Sequence, residues 1–318
     1  MVDRSIIVEL YRNCRATYRG IAEKLGLTAT SVKKRITQLR EVKFLSRPYV
    51  LLSLATIDAD YCLAEVNTDG TEHDEAFFSL IGTHSSVKVV MRTSPRKIWV
   101  LGEVVGPLGL FELGRFLRGL MSVKKVMIYF VYPVTPTPLQ FGSQYAYRGN
   151  KTTFTKQQLQ VLRCLLEDAR IPATEIAREV KLSARRVRQV LRELIQGGGL
   201  YFTIFTKMSA GGVIPFNVVI DFDDTKVSPQ EVTKWVMEQN PGEYWNTWLV
   251  ANRPTLFHFC TAKDLPTIEA ITDKAKKAKF AKRAGAVIVR PQTFFVGLSY
   301  IRLAELVGVQ VSNHRVEF

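Results

Sequence analysis

Two short stretches of this 318-residue chain carry side chains whose types and spacing suit contact with a polyanion. In the first, Thr28, Thr30, Ser31, Lys33, Lys34 and Thr37 share the outer face of a helix pattern. Hydroxyls and ammonium groups reach phosphate oxygens and base edges, and small residues permit close approach to a major groove. In the second, Ser183, Arg185, Arg186, Arg188, Gln189 and Arg192 occupy the equivalent face. Arginine can hold guanine O6 and N7 with paired hydrogen bonds, and glutamine can pair with the adenine edge. These residues are the candidate DNA-binding set, and double-stranded DNA is the expected partner.

The charge is located accordingly. The chain carries +15, yet residues 1–53, with 11 basic and 4 acidic side chains, hold +7, and residues 150–210, with 11 and 5, hold +6. Other chemistries lack support. His73, His84, His258 and His314 stand at no metal-ligand spacing, and the pair His258 and Cys260 on one strand face is too small a set for a tetrahedral site. Asp221, Asp223 and Asp224 end a strand before a turn, and Gly197-Gly198-Gly199 follows a helix, so both read as structural. No nucleophile elbow, phosphate loop or dinucleotide fingerprint occurs. The expectation is a protein without cofactor or metal that is not an enzyme. No apolar run reaches the ~20 residues of a membrane span. Cys14, Cys62, Cys164 and Cys260 form no CxxC pair, and the N-terminus enters a polar helix pattern at once. A cytoplasmic, nucleoid-associated protein is expected.

The elements that position the two basic faces repeat. A shift of 155 residues lays Leu10 on Leu165, Arg15 on Arg170, Ile21-Ala22 on Ile176-Ala177 and Leu39 on Leu194. It also sets Cys62-Leu63-Ala64 over Asn217-Val218-Val219. The order is a basic module, a second module, then both again. In the first basic module, Asp3 is a plausible cap for a helix over 4–13, Thr17 to Leu25 follows, and Thr28 caps a third helix to about Leu39. Gly26 makes a left-handed turn between the last two. This is a helix-turn-helix pattern. Lys181 replaces that glycine in the second copy, which predicts a slightly different turn. Phe44 to Leu52 and Leu200 to Lys207 are each expected to form a two-stranded wing. The second modules read as βαββαβ, the ferredoxin-like order, with the last strand of the second copy at Ala286 to Phe295. The fold class is therefore α+β: two winged helix-turn-helix domains alternating with two ferredoxin-like domains. Their expected bounds are 1–53, 54–135, 153–210 and 211–318, with a linker at 136–152 anchored by Phe141, Tyr145 and Tyr147. The tail holds apolar Leu298, Ile301, Leu303, Leu306 and Val307, suited to covering a sheet or joining chains.

The stretch Ala16-Thr17-Tyr18-Arg19-Gly20-Ile21-Ala22-Glu23-Lys24-Leu25-Gly26-Leu27-Thr28, with the helix that follows it, resembles the helix-turn-helix signature of Lrp/AsnC transcriptional regulators. The likeness implies a tandem fusion of archaeal type that regulates transcription as a covalent pseudo-dimer. Because the two recognition helices differ, the expected site is non-palindromic. Homodimerisation is possible through uncovered sheet edges. The family's second module often senses amino acids near the loop between its second and third strands. Here that loop holds Arg92, Thr93, Ser94 and Arg96, with Arg253 in the second copy, as the candidate effector-binding set. Two rivals share the architecture: a chromatin-like DNA-coating protein, and the siroheme decarboxylases, whose His-Asn-Tyr type signature neither copy shows. Lys274, Lys276, Lys277, Lys279, Lys282 and Arg283 form the densest basic run, read as a solvated helix end that can also touch phosphate.

Overall fold

A computed structural model of the chain describes residues 2–134 and 148–318; the linker anchors Phe141, Tyr145 and Tyr147 lie outside the described residues. The chain opens with α1 (Val2–Arg12), α2 (Tyr18–Leu25), α3 (Ala29–Glu41) and β1 (Tyr49–Leu52). The first ferredoxin-like module follows as β2 (Ala59–Thr68), α4 (Asp74–Gly82), β3 (Val87–Ser94), β4 (Lys97–Val105), α5 (Gly106–Arg118) and β5 (Val123–Pro133). The pattern returns with α6 (Lys156–Glu167), α7 (Ala173–Glu179), α8 (Ala184–Gln196) and β6 (Leu200–Thr203). The second module is β7 (Ile214–Phe222), α9 (Pro229–Gln239), β8 (Tyr244–Val250), β9 (Thr255–Ala262), α10 (Leu265–Lys276) and β10 (Ala281–Ile288). β11 (Gln292–Phe294) and α11 (Leu298–Leu306) close the chain.

Local chemistry sets the helix ends. Thr17 accepts a hydrogen bond from the Gly20 amide, and Gly26 stops α2 at φ 66°. Lys181 takes φ 54°, the same left-handed turn as Gly26, so the expected difference between the two turns does not arise. Asp3 lies inside the first turn of α1, not before it, and pairs with Arg35 at 2.8 Å.

The expected wings are corrected. Each basic module supplies one short strand, and β1 and β6 pair antiparallel with each other, Tyr49 opposite Thr203 and Leu52 opposite Leu200. A four-residue strand cannot satisfy its own ladder, and the other copy offers the matching edge. The two helix-turn-helix domains consequently share one core, in which Ile6, Leu10, Ile36, Val161, Val187 and Leu191 are buried together.

The remaining strands form one sheet in the order β10-β7-β9-β8-β5-β2-β4-β3-β11. Pairing between the modules is reciprocal. The end of β5 runs past its own module and pairs with β8, Val131 opposite Val250. The chain beyond β10 does the same to the first module: the Arg290 amide donates to the Arg92 carbonyl, the Arg92 amide donates to the Pro291 carbonyl, and β11 pairs with β3, Thr293 opposite Val90. The last strand is thus two pieces, beginning earlier than the expected Ala286. Both second-strand edges, β3 and β8, are covered.

The sheet closes on itself. Strands β4 and β9 stand four spacings apart in the order, ~19 Å if flat. The rings of Trp99 and Phe257 on them are 5.1 Å apart, and those of Tyr61 and Trp248 are 5.0 Å apart. The outer faces are covered by α4 and α5 on one module and by α9 and α10 on the other. The inner faces meet and flank a partly open cavity of about 130 Å³ under α1 and the segment after β6. Cys62 faces the helices while Asn217 lines this cavity, so the shift of 155 superposes opposite faces. Period-two alternation means that a slip of one residue exchanges inside for outside. The repeat holds in the basic modules and changes by one in the second.

The tail covers a sheet edge and a core. Leu298, Ile301 and Leu303 of α11 are buried, and Tyr300 donates to the Leu166 carbonyl at 3.2 Å.

Candidate nucleic-acid interface

Helices α3 and α8 carry the two basic faces. Val32 and Ile36 of α3, and Val187, Val190, Leu191 and Leu194 of α8, are buried at helical spacing, which turns the opposite faces outward. Thr30, Lys33, Lys34 and Thr37 are exposed and Ser31 is half-buried. Arg185, Arg188, Gln189 and Arg192 are exposed. Three of the expected residues are engaged within the protein. Thr28 accepts from the Ser31 amide at 3.1 Å and Ser183 from the Arg186 amide at 3.2 Å, so both hydroxyls cap their helices. The Arg186 guanidinium donates to Gln157 Oε1 at 2.8 Å and to Glu193 Oε1 at 3.3 Å.

The two domains are fixed by interactions that the sequence alone does not assign. Cys14 N donates to the Phe202 carbonyl at 2.8 Å, and Ser46 N to the Phe205 carbonyl at 3.0 Å. Arg4 on α1 lies over the Trp245 ring at 4.7 Å, which ties the first domain to the second ferredoxin-like module. Glu9 is bonded by both Arg12 and Lys24 at 2.6 Å. Burial pushes its pKa up, but these hydrogen bonds outweigh burial and hold the carboxyl below its ordinary range. Arg15 and Arg170 are visible in the sequence as repeat equivalents; their carbonyl partners across the domain boundary are not.

The candidate effector residues are placed separately, and two of their three cations, Arg92 and Arg253, are occupied. Arg92 reaches Glu72 at 2.8 Å and also bonds Asp74 and the Pro95 carbonyl. Burial disfavours its charge, yet its bonds to Asp74 and Glu72 prevail and raise its pKa. Thr93 donates to the Lys97 carbonyl at 3.1 Å, and Ser94 and Arg96 lie exposed at the hairpin. Arg253 pairs with Glu65 at 3.2 Å and stacks over Tyr129 at 4.7 Å. Glu65 also takes Lys97 at 2.5 Å, so an acid joins the two loops. At Arg92 and Arg253 an anionic effector would compete with resident carboxylates.

Several members of the acidic and basic runs are likewise partnered. Asp221 accepts from the Thr255 hydroxyl, and Asp223 accepts from Thr225 and pairs with Lys226 at 2.9 Å. Lys276 pairs with Asp273 at 3.0 Å and Lys282 with Asp223 at 3.6 Å.

Comparison with known proteins agrees with this layout. Residues 2–40 match the AsnC-type helix-turn-helix domain, and residues 154–198 match a winged helix-turn-helix DNA-binding domain. An uncharacterized HTH-type transcriptional regulator of Pyrococcus furiosus is 26 % identical over 89 residues, which is 28 % of this chain. The match spans 60 % of that relative's length. Among solved structures, the siroheme decarboxylase NirDL superposes on 96 % of this chain and 98 % of its own at a TM-score of 0.58, with 14 % identity. Its complex with an iron-uroporphyrin III analogue gives 0.54 over 92 % of each chain. At that identity the likeness is one of fold. It nonetheless overturns the expectation that the chain is not an enzyme. That expectation rested on missing motifs, whereas the whole four-domain scaffold is shared with an enzyme, and one scaffold hosts unrelated chemistries. No helix among the described residues is long and apolar enough to cross a membrane. The chain thus carries a helix-turn-helix domain in each half, the first of AsnC type and the second of the winged helix-turn-helix class.

Proposed function

We propose that this chain is a DNA-binding transcription regulator that acts as a covalent pseudo-dimer on a non-palindromic site. The observation that carries the reading is the union of two helix-turn-helix domains in one core, with unlike exposed faces on α3 and α8. One face offers hydroxyls and two lysines, the other three arginines and a glutamine. The residues assigned to contact DNA are Thr30, Ser31, Lys33, Lys34 and Thr37, and Arg185, Arg188, Gln189 and Arg192. Cationic side chains capture the duplex, and the arginine-rich helix supplies most base discrimination. The P. furiosus relative, named as a transcriptional regulator, supports the same reading.

Fluorescence anisotropy with mixed-sequence duplex DNA tests it. Binding should weaken steeply with salt, and Lys33→Ala with Arg188→Ala should reduce the steepness of that dependence. Salt-dependent binding that never exceeds the affinity for mixed sequence would instead mark a DNA-coating protein.

A siroheme decarboxylase-like activity is the second reading, favoured by the superposition of NirDL on nearly the whole chain. The cavity between the inner sheet faces is lined by uncharged side chains and offers no cation to the acid groups of such a macrocycle. Absorbance of the protein titrated with an iron tetrapyrrole distinguishes the two: a saturable Soret shift supports the enzyme reading.

A further inference from the structure

The cavity between the two inner sheet faces has the features of a ligand site. Its wall is built from aromatic and aliphatic side chains of both modules, among them Trp99, Phe257, Trp245 and Trp248. Its roof belongs to the DNA-binding domains: Val8 and Tyr11 come from α1, and Phe205 and Met208 from the segment after β6. At about 130 Å³ it approaches the size of an engineered apolar cavity of ~150 Å³ that admits benzene.

One polar side chain in the wall is unexplained by the fold. Asn217 on β7 is 7 % exposed and lines the cavity, and no described residue hydrogen-bonds its side-chain amide. An amide carries two donor hydrogens and an acceptor oxygen. In β7 the neighbouring inward residue is Val219, and the strand would pair equally well with an apolar residue at 217. The Trp99 Nε1 hydrogen, on the facing module, is buried and also lacks an acceptor. An amide with no protein partner in an aromatic-walled cavity describes the complement of a ligand.

From this we infer that the cavity binds a small uncharged molecule with one aromatic ring and a carboxamide-like group, its polar end held by the Asn217 amide. The ring stacks among the tryptophans, and the polar end makes the donor and acceptor contacts that Asn217 lacks. An anion is disfavoured because the wall holds no cation. The site itself is independent of the proposed function. Its consequence, that occupancy alters the roof and hence the DNA-binding domains, rests on that function.

The tryptophans report on the site. Three of the chain's four, Trp99, Trp245 and Trp248, line the cavity, while Trp235 packs on Phe280 in a different core. In the full-length, nitrogen-15-labelled protein, benzamide should saturably shift the indole signals of the first three and leave Trp235 unmoved. Asn217→Leu, nearly isosteric and freed of an unpaired amide, should fold with a raised melting temperature. It should weaken benzamide about fivefold, as expected for loss of its hydrogen bonds, while ethylbenzene binds it as it binds the natural protein. Leu63→Phe, which fills the cavity from β2, should abolish both. No saturable shift, a shift shared equally by Trp235, or benzamide affinity unchanged in Asn217→Leu would overturn the inference. Because the readout contains no DNA, its failure is separate from failure of the DNA-binding reading.

Discussion

Arg15 and Arg170, one repeat apart, make the same hydrogen bond in opposite directions. Arg15 Nη2 donates to the Ile171 carbonyl at 3.0 Å, and Arg170 Nη2 donates to the Ala16 carbonyl at 3.3 Å. Ala16 and Ile171 are themselves repeat equivalents. The relation fixes one helix-turn-helix domain against the other, assisted by Arg15 Nη1 on the Ala169 carbonyl and by Arg170 over the Tyr18 ring. Hydrogen bonds from charged groups contribute about 1.5–3 kcal/mol. Arg15→Ala should therefore cost about 2 kcal/mol in denaturant unfolding. The double variant with Arg170→Ala should cost less than the sum of the singles, because both act on one interface.

The tail is locked to the first module by a fully buried ion pair. Lys88 Nζ lies 2.9 Å from Glu103 Oε1, and both also bond Ser299. Burial disfavours the lysine's charge and lowers its pKa, with Glu103 opposing. Removing one partner strands the other charge, so Glu103→Gln should destabilise by about 3–5 kcal/mol, while Lys88→Met with Glu103→Leu should recover most of that loss. Equal losses in the single and double variants would contradict this account.

His258 supplies an acid-sensitive group. It is buried against Thr247 Oγ1, at 2.7 Å from Nδ1, and burial lowers its pKa from 6.5 to about 3. The unfolded chain takes up this proton below pH ~6.5 and the folded chain does not. Stability from this group is thus complete above ~6.5 and falls as pH drops, by about 1.4 kcal/mol per unit, until the folded pKa is reached. His258→Gln should flatten the stability profile between pH 6 and 4. An unchanged profile would show that other groups govern acid unfolding.

On the proposed function, DNA recognition should divide between specificity and capture. Replacing Arg185 and Arg188 by alanine should narrow the gap between preferred and mixed sequence, by about 1–3 kcal/mol for each bidentate arginine–guanine pair removed. Lys276→Ala, beyond the helix-turn-helix domains, should leave that gap intact. Competition binding at fixed salt checks both, and equal losses on every sequence from Arg185→Ala and Arg188→Ala would reject the base-reading role.

Much of the scaffold was legible because its signals are local. Thr17, Thr28 and Ser183 announce helix starts, and Gly26 marks the turn that Lys181 also adopts. What crosses between repeats was not legible. Phe44 to Leu52 looks like half of a wing, and only the folded chain shows that its partner is β6. The paired position of Cys62 and Asn217 misled because a one-residue slip exchanges the two faces of a strand. Charge alone marked Arg92, Arg186 and Arg253 as available, while Glu72, Glu193 and Glu65 already hold them. The exclusion of enzyme chemistry failed for a related reason: motif absence is a local signal, and the likeness to NirDL lies in the whole arrangement.

The most direct test of the account is a bind-and-sequence selection on random duplex DNA with the full-length protein at physiological salt. An enriched motif with two unlike halves is expected, one of which disappears in the Arg185→Ala, Arg188→Ala variant. Retention without any enriched motif, or enrichment of a palindrome, would contradict it.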